Sequence, residues 1–74
     1  MSINELGNEL KEMYNNSENK ERVVNIHLFG IIWGEIILKN NYTSKEIINA
    51  SGLKKSYITE LNKGIKLSNR VIVK

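Results

Sequence analysis

The chain has no cysteine, no proline and no aspartate, and it has one histidine, one tryptophan and one phenylalanine among 74 residues. Each absence excludes something. Without cysteine there is no disulfide, no thiolate zinc site and no thiol nucleophile. His27 alone cannot assemble a metal site. A nucleophile needs an oriented base, and one histidine with scattered glutamates supplies neither half of that arrangement. The expectation is a protein that is not an enzyme and carries no cofactor. No proline-rich or low-complexity linker divides the chain, so it reads as one domain.

A long apolar run is missing too. Val23 to Leu38 is the most apolar stretch, but Asn25, His27 and Glu35 interrupt it, and it is too short to span a bilayer. The opening Met1-Ser2-Ile3-Asn4-Glu5 lacks the basic and apolar regions of a signal peptide. A cytoplasmic location with no membrane partner is expected. A domain of this size buries only about 60% of the surface its unfolded chain exposes, so a homodimer is a natural way to enlarge the core.

The charge that is present is unevenly placed. Overall it is +3. Residues 1–38 carry Lys11, Lys20 and Arg22 against Glu5, Glu9, Glu12, Glu18, Glu21 and Glu35, a balance of −3. Residues 39–74 carry eight basic residues against Glu46 and Glu60, a balance of +6. An AT-rich coding bias would enrich lysine, but it does not explain why acids avoid the second half. A basic face directed at a polyanion does.

Periodicity gives an all-α, four-helix domain. Ser2-Ile3-Asn4-Glu5 is a capping box, followed by Ile3, Leu6, Leu10, Met13 and Tyr14 at helical steps. This predicts a helix over about 3–14, with Asn15-Asn16-Ser17 as the break. A second helix over about 18–39 is apolar on nearly every side, the mark of a central or shared helix. Gly30 and Gly34 fall one turn apart within it. Each costs roughly 1 kcal/mol against alanine, so they imply a close approach by another backbone. Thr43-Ser44-Lys45-Glu46 is a second capping box opening a helix over 44–51, and Ser51-Gly52-Leu53 is a tight turn. A fourth helix is expected over 54–63, with Gly64 past its end and Ile65 as the hydrophobic contact of a Schellman motif. The last residues, Arg70 to Lys74, read as a short strand or extended tail.

Thr43 to Gly64 therefore has the pattern of a helix-turn-helix. Leu53 supplies the apolar residue after the turn glycine, and Ile58 with Leu61 would pin the second helix across the first. The unit resembles those of bacterial repressors. Ile48 departs from them, standing where many such units place a small residue, which implies a wider crossing or a variant motif. The stretches IHLFG (Ile26 to Gly30), SYITELNKGIKL (Ser56 to Leu67) and the closing VIVK resemble a family of small bacterial HTH-like domains. That resemblance covers nearly the whole chain and implies the fold more than a function.

In such a domain the second helix enters the major groove of double-stranded DNA with its N-terminal residues against the base edges. Those residues are Lys54, Lys55, Ser56 and Thr59. Lys55 can donate to guanine, and Ser56 or Thr59 to several bases or to phosphate. Thr43, Ser44 and Lys45 would meet the backbone with hydroxyls, an ammonium and a helix N-terminus; Lys63, Lys66 and Arg70 would extend those contacts. Glu60 is expected to accept from a cytosine amine or to pair with Lys63 or Lys55. A lysine-bearing helix face is also what a merely solvated surface looks like. Tyr57 reads as half-buried packing, His27 as a core or interface residue, and Phe29, Gly30, Trp33 and Gly34 as core or dimer interface. Two functions remain: a transcriptional regulator that binds DNA, as a homodimer, or a module of the same fold that binds or inhibits a larger nucleic-acid-processing protein.

Overall fold

The computed structural model describes residues 1–17 and 21–68 and places four helices in them: α1 (Ile3–Asn15), α2 (Arg22–Lys39), α3 (Ser44–Ser51) and α4 (Tyr57–Leu67). The fold is all-α, with no strand among the described residues. The extended segment expected at the C-terminus lies outside them.

Both capping boxes form. The Ser2 hydroxyl accepts from the Glu5 backbone N–H at 3.1 Å, and the Ser2 N–H donates to Glu5 Oε1 at 3.0 Å. The bond from the Ser2 backbone is the main reason the Glu5 carboxyl lies below its ordinary pKa. Thr43 and Glu46 repeat the pattern at 3.1 and 3.0 Å. Caps of this kind contribute about 1 kcal/mol each. Helix α2 starts on Glu21 with no side-chain cap, and the start expected near residue 18 falls outside the described residues.

Helix α4 differs from expectation at both ends. It begins at Tyr57 because Lys54 and Lys55 form a tight turn, their carbonyls accepting from the Tyr57 and Ile58 N–H groups at 3.0 and 3.1 Å. It runs through Gly64 to Leu67. Gly64 is no left-handed terminator: a Cβ on it would lie 2.5 Å from the His27 carbonyl oxygen of α2. A Cβ on Gly30 would in turn lie 2.7 Å from the Gly64 carbonyl carbon. The two glycines meet where α2 and α4 cross, and Gly34 gives the same relief against Ser68. The close backbone approach implied by Gly30 and Gly34 is made by α4 of the same chain.

A second small-residue crossing joins α1 to α3, where a Cβ on Gly7 would fall 2.7 Å from the Ala50 Cβ. Gly7 and Ala50 are the small residues of this α1·α3 crossing, while Ile48, the departure from the usual helix-turn-helix pattern, is large and fully buried. The pairs α2·α4 and α1·α3 carry most of the packing. Between them lies a core of Leu6, Leu10, Ile26, Phe29, Ile37, Ile47, Ile48, Leu61 and Ile65. Full burial of each such side chain is favourable by about 1.5–3 kcal/mol. Phe29, Gly30 and Gly34 belong to this interior, and half-buried Trp33 packs against it. Among the described residues no single helix is long and apolar enough to cross a membrane.

Candidate nucleic-acid interface

The bend between α3 and α4 is held from within. Gly52 ends α3 in the left-handed region at φ 77°, a conformation that costs a residue with a Cβ roughly 1 kcal/mol or more. Its N–H donates to the Ile48 carbonyl at 3.1 Å. The buried Ser51 hydroxyl donates to the Ile48 carbonyl at 2.7 Å and accepts from the Leu53 N–H at 3.2 Å. Behind the bend, Leu61 is fully buried, and Leu53 and Ile58 pack against the core. The start of α4 therefore projects from a fixed turn.

On the outward side, Lys54, Lys55, Ser56 and Thr59 are all exposed, and α1 does not cover them. From Ser56 the row continues through Thr59, Lys63 and Lys66 at steps of three and four residues, one face of a helix, with every member exposed. Glu60 stands beside this row. Its Oε1 accepts from Lys63 Nζ at 3.0 Å. That bond is the leading reason its carboxyl lies below the ordinary range, with the Lys63 and His27 charges adding to it against the opposing effect of burial. Of the two lysines expected as partners for Glu60, Lys63 is the one it meets. Glu60 Oε2 also lies 3.4 Å from His27 Nε2 of α2, within ion-pair reach but outside hydrogen-bond geometry. His27, Lys63, Lys66 and Leu67 line an open groove of about 360 Å³ between α2 and α4.

The start of α3 contributes less than the sequence suggests. Lys45 is exposed. The Thr43 hydroxyl is occupied by its cap, accepting from the Glu46 N–H and donating to Glu46 Oε1, both at 3.1 Å. Ser44 is turned inward, buried, and donates to Asn62 Oδ1 of α4, where it ties α3 to α4. That inward turn takes the Ser44 hydroxyl off the outer surface. Arg70 lies outside the described residues.

Sequence reasoning missed a cluster at the start of α4. The Tyr57 ring, half-buried as expected, meets Tyr14 of α1 edge-on, with centroids 5.4 Å apart and planes at 63°. Their hydroxyl oxygens are 3.2 Å apart. The Arg22 guanidinium sits over the Tyr14 ring, 5.2 Å from its centroid. Tyr14 and Tyr57 are 43 residues apart in the chain, and no local spacing signals their meeting. Among the described residues no group of three His or Glu side chains could hold a metal ion.

The sequence model of a family described as "HTH-like domain" matches residues 2–74. No curated protein and no solved structure matches the chain.

Proposed function

The chain belongs to the HTH-like domain family, and from that membership we propose that it is a small transcriptional regulator that binds double-stranded DNA through the start and outer face of α4. The observation that carries this is the exposed row Lys54, Lys55, Ser56, Thr59, Lys63 and Lys66, set on a rigid left-handed turn. Lys54 and Lys55 lead α4 into the major groove, where the Lys55 ammonium donates to guanine O6 or N7. Ser56 and Thr59 add hydroxyls one turn further on. Lys45, Lys63 and Lys66 neutralise phosphates to either side, fixing register without reading sequence. The protein acts in the cytoplasm, where chromosomal DNA is accessible, and binds without catalysing a reaction.

The decisive experiment recovers bound duplexes from a random pool at low and physiological salt. Retention that falls steeply with salt, through counterion release, is expected, together with an enriched motif. Lys54→Glu combined with Lys55→Glu removes binding while leaving the helical content intact. A wild-type chain that retains no duplex at low salt would refute DNA binding.

A protein partner is favoured by a different observation. The outer face of α2 exposes Val24, Leu28, Ile32 and Leu38, each between 43% and 51%. Contiguous exposed apolar patches of this kind mark interaction sites. The occupant that suits both functions is a second copy of this chain. With α2 packed antiparallel on itself so that Leu28 faces the other copy's Ile32, Glu21 meets Lys39 at each end of the pair. A parallel arrangement would instead set Glu21 and Glu35 against their own copies. Such a homodimer is joined through the face opposite Phe29, Gly30, Trp33 and Gly34. Sedimentation should give twice the chain mass, falling to one chain mass for Leu28→Glu.

A further inference from the structure

We propose that Tyr14, Arg22 and Lys54 form a phosphate-binding site at the flank of α4, which takes one backbone phosphate of the DNA duplex; this rests on DNA binding by α4. The end of α1 and the start of α2 meet there, where Arg22 lies over Tyr14, and the turn that carries Lys54 leads into Tyr57, whose hydroxyl meets that of Tyr14. None of the three residues is marked by a local motif, and Lys54 is the only one of them that the sequence places at the interface.

The geometry favours an anion. Arg22 is exposed, and its stacking on Tyr14 holds a planar, always-charged donor array in one orientation. Guanidinium groups so held are suited to phosphate because little rotamer freedom is lost on binding. The Tyr14 hydroxyl is a second donor. If Tyr57 donates within the 3.2 Å hydroxyl pair, the Tyr14 oxygen is the acceptor and its own proton is left free to point at a ligand. The Tyr14 hydroxyl is pulled below its ordinary pKa, first by the bond from Tyr57 and further by the Arg22 and Lys54 charges, while the same bond pushes Tyr57 up. A donor that itself accepts a hydrogen bond is polarised into a stronger one. Among the described residues no carboxylate lies within ion-pair distance of Arg22 or Lys54. Among the described residues these two cations and the neutral donor have no counter-charge in ion-pair reach, which is the chemistry that receives a phosphodiester.

Position agrees with chemistry. Lys54 precedes α4 by one turn, and Tyr57 is the first residue of α4. When α4 enters the groove from that end, the flank formed by Tyr14 and Arg22 lies toward the rim of the groove, where a strand's phosphates run. Tyr57 is a positioning residue, acting through Tyr14.

Fluorescence anisotropy with a labelled duplex from the selected pool, over about 50–200 mM salt, tests this. Arg22→Ala should lower affinity about tenfold on every duplex and reduce the salt slope by about one, the signature of a lost phosphate contact. Tyr14→Phe, which keeps the ring and the stacking, should lower affinity about fivefold with the slope unchanged, as expected for a lost neutral donor to a charged acceptor. Lys55→Glu, outside the cluster, reports on α4 docking alone. Thermal melts confirm that each variant is folded. Loss of binding in Lys55→Glu with Arg22→Ala and Tyr14→Phe both within twofold of wild type would overturn the phosphate site and leave DNA binding standing. A wild-type chain that binds no duplex would overturn both.

Discussion

The two faces of α2 are made of the same kind of residue and have opposite fates. One presents Ile26, Phe29, Gly30, Gly34 and Ile37, all buried, and α4 lies across it. The other presents Val24, Leu28, Ile32 and Leu38, each roughly half-exposed. Hydropathy does not separate them. What separates them is shape: only the inner face carries glycines one turn apart, and only there can a second backbone come within van der Waals contact. Dispersion falls off so steeply with distance that a close crossing outweighs the intrinsic helix cost of two glycines. The lesson is that in a helix apolar all round, the small residues mark the packed side and the large ones can stand on either.

The widest break in this comparison is expected at Phe29. Phe29→Ala should destabilise by about 3–5 kcal/mol, the cost of lost burial plus a cavity, measured by urea titration. In so short a chain that approaches the whole folding free energy, and an unaltered midpoint would remove Phe29 from the core. Gly30→Val should cost about 3 kcal/mol, the upper end of ordinary overpacking, since the new side chain meets Gly64 backbone that cannot move aside. Wild-type melting in that variant would show that the crossing is looser than described. On the outer face, Leu28→Gln and Ile32→Gln should each change monomer stability by no more than about 0.5 kcal/mol. Concentration-dependent melting in the wild type that these variants abolish would identify that face as a subunit contact. A loss there as large as that of Phe29→Ala at every concentration would show that the two faces are not distinct.

The smallest expected effect concerns Glu60, which stands beside the α2·α4 crossing. Its folded-state pKa is depressed. Its stabilising contribution is therefore present above the unfolded carboxylate value and is lost as pH falls through the folded one. Glu60→Gln should be slightly less stable than wild type at neutral pH and indistinguishable from it in acid. A difference that persists in acid would trace the effect to packing of the side chain instead of its charge.

Much of this was legible in the residues themselves. Both capping boxes, the break at Asn15-Asn16-Ser17 (one residue early, since α1 includes Asn15), the Gly52 turn and the membership of Leu53, Ile58 and Leu61 in the bracing of α4 follow from local spacing, because a cap or turn involves groups three or four residues apart. Lys54, Lys55, Ser56 and Thr59 were placed at the surface for the same reason. The errors came where a distant partner overrode a local rule. Gly64 has every local mark of a helix terminator, yet it lies within α4 because α2 needs its missing side chain. Ser44 looks like a free hydroxyl at a helix start, yet Asn62 claims it.

By itself the sequence determined where backbone conformation must change, which helices have a polar side, and that positive charge gathers in the second half, since each of these depends on neighbours along the chain. Tertiary structure alone decided that α4 of the same chain covers the glycine face of α2, where α4 begins and ends, and that Tyr14, Arg22 and Tyr57 stand together. Those outcomes depend on which backbones can approach closely enough to pack, and that distance is fixed only once all four helices are in place.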